Sequence, residues 1–185
     1  MHFRKFGHAT SLRRSGDNLH YPDLTMFIGF RPVQPGDDAE ILRLLDTRAD
    51  YFAARGTRPH LAHALLTAIP EGTTAGQKRL LAIESDGVMV GLVDAVVDYP
   101  DLGVVSLALF LLEPGSDLHG FGVPVASLLV EHGIAEGMFA ARVECPVGWA
   151  PGENLLRAMG YRPGESTLGV RTWSGDLTPP PFIEV

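Results

Sequence analysis

The stretch Leu109-Phe110-Leu111-Leu112-Glu113-Pro114-Gly115-Ser116-Asp117-Leu118-His119-Gly120-Phe121-Gly122-Val123 decides how the rest of the chain is read. An apolar run, Val104–Leu112, broken only by Ser106, leads into it. Residues apolar on both faces predict a central, buried strand. Pro114 stops that strand. Gly120 and Gly122 then open a helix whose inner face is marked by Val125, Leu128, Leu129 and His132, with Gly137 at its end. A helix start offers unpaired N–H groups and the positive end of the peptide dipoles. Glycines there let the backbone approach a phosphate closely. Strand, tight loop and helix start together read as an anion-binding nest, with the pyrophosphate of a nucleotide-like cofactor as its guest. Alone, the glycines are weak evidence: Gly-x-Gly is neither G-x-G-x-x-G nor a phosphate loop ending in Gly-Lys-Ser/Thr. A plain glycine-rich turn capping a helix fits them equally.

Upstream, Phe27–Val33 is strand-like and Pro35-Gly36 breaks it. Asp37 followed by Glu40 resembles a capping box. Behind it, Ile41, Leu44, Leu45 and Phe52 share one helical face, and Leu61, Leu65, Ala68 and Ile69 form a second helical pattern that Pro70 ends. Arg79–Glu84 and Val88–Val97 read as strands joined by an Asp86-Gly87 hairpin turn. Tyr99-Pro100-Asp101 turns the chain into the apolar strand. Downstream come a strand at Arg142–Val147, a short helix at Asn154–Met159 ending at Gly160, and a last strand at Thr167–Trp173. The order predicts an α+β domain with a mixed sheet. Residues 1–25 lack either periodicity and read as a flexible extension ahead of Met26. Residues 26–174 read as one domain and 175–185 as a Pro-rich tail.

Composition narrows the function. The 185 residues are 45% apolar, enough for one domain with a real core. Net charge is −7, and only Lys5 and Lys78 are lysines. Such a surface does not draw in phosphate backbones, so no nucleic-acid partner is expected. The longest apolar run falls well short of the roughly 20 residues a membrane helix needs, and no signal sequence is evident, so a cytoplasmic protein without a membrane partner is expected. One cysteine, Cys145, excludes a disulfide framework and a multi-cysteine zinc site. It reads as a small core hydrophobe. His60 and His63 have half a metal-site spacing but no third ligand, so no metal is expected.

A strand, a proline, a loop with x-x-Gly-x-Gly and a helix, preceded by a hairpin and followed by a strand and a short helix ending Gly160-Tyr161, resembles the GNAT superfamily of acyl-CoA-dependent N-acyltransferases. The resemblance spans about residues 28–173. Asp50-Tyr51-Phe52, Leu65-Leu66, Ile69-Pro70-Glu71-Gly72, Asp94 and Tyr99-Pro100-Asp101 add to it. It implies a mostly antiparallel sheet of six to seven strands, helices on both faces, and a V-shaped split between the fourth and fifth strands. It implies acetyl-CoA or another acyl-CoA as cosubstrate, bound by backbone groups of Leu109, Leu111 and Leu112 and by Leu118, His119, Gly120, Phe121, Gly122 and Val123. It implies a small-molecule amine as acceptor, acylated by direct attack, and leaves a homodimer open.

Two positions depart from the family pattern. Asp117 stands where the loop usually starts with Arg or Gln, and Leu156 stands where a Tyr or Trp is usual, with Trp149 at the usual Asn. These departures frame an alternative on the same fold: a carrier-protein thioester donor, or a ligand-binding role without catalysis. An interaction protein that pairs through an exposed sheet edge is a further alternative. For the proton of an incoming ammonium, Asp94, Glu113, Asp98 and Glu144 are candidates. Asp94, inside an apolar strand, has the strongest claim to a shifted pKa. Tyr99 and Tyr51 are candidates to line the acceptor pocket. Asp94, Glu113 and Tyr99 are thus the expected catalytic set.

Overall fold

Seven strands form one sheet in a computed structural model that describes residues 28–58, 66–115 and 121–177. In chain order the elements are β1 (Ile28–Pro32), α1 (Asp38–Thr47), α2 (Ala49–Arg55), β2 (Lys78–Ser85), β3 (Val88–Val97), β4 (Val104–Leu112), α3 (Gly122–Ala135), β5 (Ala140–Pro146), α4 (Ala150–Ala158), β6 (Arg162–Thr167) and β7 (Val170–Asp176). The sheet order is β1-β2-β3-β4-β5-β7-β6. Every pair is antiparallel except β4 with β5, which is parallel. A parallel pair needs a crossover, and α3 supplies it. The α+β class, the mixed sheet, the central place of β4 and helices on both faces all hold. Residues 1–25, most of the Leu61–Ile69 pattern, and 178–185 lie outside the described residues.

The helices cover the two faces with separate apolar layers. Under α1 and α2 lie Ile41, Leu44, Leu45, Tyr51 and Phe52, packed on Ala82, Met89, Leu92, Leu109 and Leu111. Under α3 and α4 lie Val125 and Leu156, packed on Val93, Leu107, Val143, Cys145 and Trp173. Alternation along β3 and β4 sends neighbouring side chains to opposite layers, as a strand buried on both faces requires. The β2–β3 turn is as expected, with Asp86 and Gly87 both at positive φ (50° and 81°).

Several details differ from expectation. The capping box is not formed. The Asp37 carboxylate instead takes Arg31 (2.6 and 3.1 Å) and the Gln34 N–H (2.8 Å), because an arginine on the neighbouring strand outcompetes a backbone amide. The single helix expected from Ile41 to Phe52 breaks at Arg48 (φ −108°, ψ 35°) into α1 and α2, yet all four marker residues stay buried. His132 is not on the inner face of α3: it is about half exposed, beside Glu136 and stacked near Phe30. The last strand is a hairpin, β6–β7, turned at Leu168-Gly169 with both at positive φ. Leucine is a rare residue for that conformation, which hid the turn. The sheet also runs past 174, since Asp176 still pairs with Ala140.

Gly91 shows how tightly β3 and β4 meet. A Cβ there would lie 2.6 Å from the Leu111 carbonyl oxygen and 2.9 Å from Ile83 Cδ1. Gly91→Ala is expected to destabilise the protein by about 2 kcal/mol and to lower Tm by about 6 °C in a thermal melt. Gly29→Ala, where nothing lies within 4 Å, should leave Tm unchanged.

Candidate active site

The parallel β4–β5 ladder is short. It pairs Val104 with Ala140 through Leu107 with Val143 and stops there, although β4 runs on to Leu112 and β5 to Pro146. The cause is one residue beyond the last pair. On the β3 side the register jumps from Asp94↔Leu109 to Ala95↔Leu107, so Ala108 is an extra residue in β4. Such a bulge bends and twists its strand. The two strands therefore part, leaving a slot closed at Leu107–Val143 and open towards Leu112 and Pro146. This is the split expected between the fourth and fifth strands.

Strand alternation decides which peptide groups face the slot. The Glu113 N–H donates to the Val90 carbonyl at 2.7 Å, so residue 113 points towards β3. Leu111 and Leu109 share its direction, and the Leu111 carbonyl indeed abuts Gly91. Phe110 and Leu112 point the other way, into the slot, where β5 no longer supplies partners. Of the residues expected to contact the donor through their backbone, Leu112 turns its peptide groups to the slot, as does Phe110, while Leu109 and Leu111 have theirs committed to β3. Counting the bulge was the missing step, and Ala108 carries no sequence mark of one.

Charged side chains line the slot on the α1/α2 face. Glu144, the first β5 residue past the ladder, accepts from Arg55 at 2.8 Å, and Arg55 also donates to the Tyr51 hydroxyl at 2.9 Å. Burial pushes the Tyr51 phenol up to about 12, against the pull of Arg55. Asp94, cross-strand from Leu109, is 2% exposed and holds the Lys78 ammonium at 2.7 and 2.9 Å. Burial raises its pKa, and Lys78 pulls it back; the charges of Glu144 and Arg55 reach it as well. Both carboxylates thus sit on one wall, each beside a cation. On the opposite face, Phe110, Leu129 and Leu156 line a cavity of about 60 Å³ beneath β4, β5, α3 and α4.

The remaining expected residues divide as follows. Glu113 turns away from the slot to pair with Arg43 on α1. Tyr99 is in the β3–β4 turn, at the closed end of the ladder: its N–H bonds the Val104 carbonyl, about 26 Å along β4 from Leu112 at about 3.3 Å per residue. Asp98 accepts from the Gly103 N–H in the same turn. Tyr99 is kept from the slot because the length of β4 separates its two ends, and Glu113, next to Leu112, turns its side chain to Arg43. Phe121, Gly122 and Val123 form the start of α3, whose first turn carries no acidic residue. Asp117, Leu118, His119 and Gly120 lie outside the described residues, as do His60 and His63. Cys145 is buried, and burial pushes its thiol up to about 12, which suits a core residue and not a nucleophile. Leu156 is buried in the α3/α4 layer. Among the described residues no cluster could hold a metal ion, and no helix is long and apolar enough to cross a membrane.

The Lys78–Asp94 pair offers a direct test of this wall. Asp94→Ala leaves a largely buried ammonium without its carboxylate and should destabilise the protein by about 3 kcal/mol, whereas the Lys78→Met/Asp94→Leu double variant should recover most of that in urea unfolding.

No family model and no curated protein matches the sequence. Solved structures do match the fold. An acetyltransferase from Thermus thermophilus aligns over 80% of this chain and 96% of its own, with TM-score 0.62 and 18% identity. A spermidine N-acetyltransferase from Vibrio cholerae, solved with CoA and spermine, aligns over 82% and 96%, with TM-score 0.62 and 12% identity. An acetyltransferase of the GNAT family from Staphylococcus aureus aligns over 82% and 99%, with TM-score 0.62 and 9% identity. At these identities what the structures share with the chain is the fold, and the chain has the GNAT fold.

Proposed function

We propose that the chain is an N-acyltransferase that moves an acyl group, acetyl in the first instance, from acyl-CoA to an amine of a small molecule. The observation that carries this reading is the slot with the peptide groups of Phe110 and Leu112 turned into it. A donor's extended pantetheine arm has amides of its own and can satisfy those groups as a neighbouring strand would. The N–H groups at the start of α3, with no acid in its first turn, suit the pyrophosphate. The solved Vibrio cholerae relative, bound to CoA and spermine, supports both a CoA donor and an amine acceptor.

In this reading Leu112, next to the start of α3, bonds the pantetheine arm, and the slot amide of Phe110, nearer the narrow end, donates to the thioester oxygen as negative charge develops there, which is where fixed donors accelerate acyl transfer. The acceptor approaches from the α1/α2 face, where Tyr51, Arg55 and Glu144 stand. Glu144 takes the proton that the ammonium must lose, because its carboxylate is partly exposed at the slot edge. Asp94, with both oxygens on Lys78, holds the wall in place. The new N–C bond forms as the C–S bond breaks. Leu156 has no proton to give, so the thiolate leaves unaided and is protonated by water; its thiol pKa near ~8.5 makes that feasible.

Calorimetric titration with acetyl-CoA should give saturable 1:1 binding. Turnover with polyamine or aminoglycoside acceptors, followed by thiol release, should fall about 100-fold in kcat on Glu144→Gln with donor affinity unchanged. No binding at millimolar acetyl-CoA would overturn the CoA reading and favour a carrier-protein thioester donor on the same fold.

A further inference from the structure

The α1/α2 face of the sheet carries a second cluster of charge beside Glu144. Along β5, Ala141, Val143 and Cys145 enter the layer under α3 and α4, so Arg142 and Glu144 turn to the other face. On β7, Trp173 is in that same layer, which turns Ser174 to the α1/α2 face as well. Ser174 stands opposite Arg142, and Arg162 on β6 stands opposite Ser174. Residues directly opposite one another share a face. Arg142 and Arg162 therefore flank Ser174 on one surface, two strand spacings or about 10 Å apart at their backbones.

Both arginines are exposed and line a cavity of about 200 Å³. Most of the described arginines are ion-paired. Arg142 and Arg162 have no ion pair among the described residues, although Asp101 and Asp176 line the same cavity. Two unpaired guanidinium groups on one surface repel each other, and their planar forks match a carboxylate. The acids lie on the side away from the slot. Asp176 stands opposite Ala140, one pair beyond Arg142 and Ser174, and Asp101 is in the β3–β4 turn.

From the slot outwards the face thus runs from Glu144, through the arginine pair, to the two aspartates. Glu144 and Arg142 are two residues apart on one strand, about 7 Å. The complement of this order is an ammonium, then a carboxylate, with a second ammonium beside it. We infer that the acceptor is a free diamino acid of the lysine or ornithine type, acylated on its side-chain amine, with its carboxylate on Arg142 and Arg162. This rests on the acyl-CoA reading above. Asp176 and Asp101 receive the α-ammonium. The side-chain ammonium gives one proton to Glu144, and the free amine attacks the thioester carbon. The N–C bond forms, the C–S bond breaks, and the second N–H proton leaves with the thiolate as coenzyme A. A simple diamine has nothing for the arginine pair and would bring a cation to it, which discriminates against it.

The test measures turnover by thiol release at saturating acetyl-CoA, on the full chain and its Arg142→Met and Arg162→Met variants. The acceptors are L-lysine, L-ornithine, ε-aminocaproate and cadaverine. The better diamino acid should exceed cadaverine in kcat/KM by about 100-fold, with ε-aminocaproate between them. Each variant should cut that ratio about tenfold, through KM and not kcat. Where a methionine variant loses the native thermal melt, the glutamine variant replaces it, with the same ratio expected. Equal turnover of cadaverine and both diamino acids by the native chain overturns the acceptor class and leaves the acyl-CoA reading standing. So does acetyl-CoA binding without turnover of any of the four. A preference for the diamino acid that both variants keep in full overturns the role of the arginine pair. Failure of the native chain to bind acetyl-CoA overturns the acyl-CoA reading itself.

Discussion

One extra residue in the central strand governs the site. Ala108 breaks the β3–β4 register just beyond the last β4–β5 pair, and from there two parallel neighbours in mid-sheet diverge. An unpaired peptide group removed from water costs about 1–3 kcal/mol. A strand at the centre of a fold needs a partner for such groups, and in the proposed reading a linear amide-bearing donor is that partner. Had β4 stayed regular, Leu109 and Leu111 would have bonded β5 and the sheet would be an ordinary scaffold.

The elements around the split follow from this gap. Trp149, past the end of β5, packs against both helical layers. The face under α1 and α2 carries paired charges, Lys78 with Asp94 and Arg55 with Glu144. The face under α3 and α4 is apolar. The proposed thioester and charged amine would need such different surroundings, and the split sheet offers them on its two sides.

Much of the fold was legible in the sequence because its signals were local. The nine-residue apolar strand β4 read as central, Asp86-Gly87 as a hairpin, and Pro114 and Gly122 as strand end and helix start. The Leu168-Gly169 turn was not legible, since leucine gives no hint of positive φ. The site was less legible for a different reason. Which of Leu109, Phe110, Leu111 and Leu112 faces the slot depends on a one-residue bulge, and Ala108 resembles any strand alanine. Glu113 and Tyr99 flank the right strand in sequence but lie away from its open edge, because Glu113 has Arg43 nearby and Tyr99 sits at the far end. Arg55 and Trp149 come from segments 89 and 99 residues distant from their partners, Glu144 and Asp50, beyond the reach of any local pattern.

The most direct measurement is amide hydrogen exchange, residue by residue, across β4 with and without coenzyme A. Phe110 and Leu112 should exchange readily in the free protein and become protected on adding the ligand, while Leu109 and Leu111, bonded to β3 throughout, stay slow in both. Slow exchange at Phe110 and Leu112 in the free protein, with no change on adding coenzyme A, would mean that the two strands are zipped and that no donor enters between them.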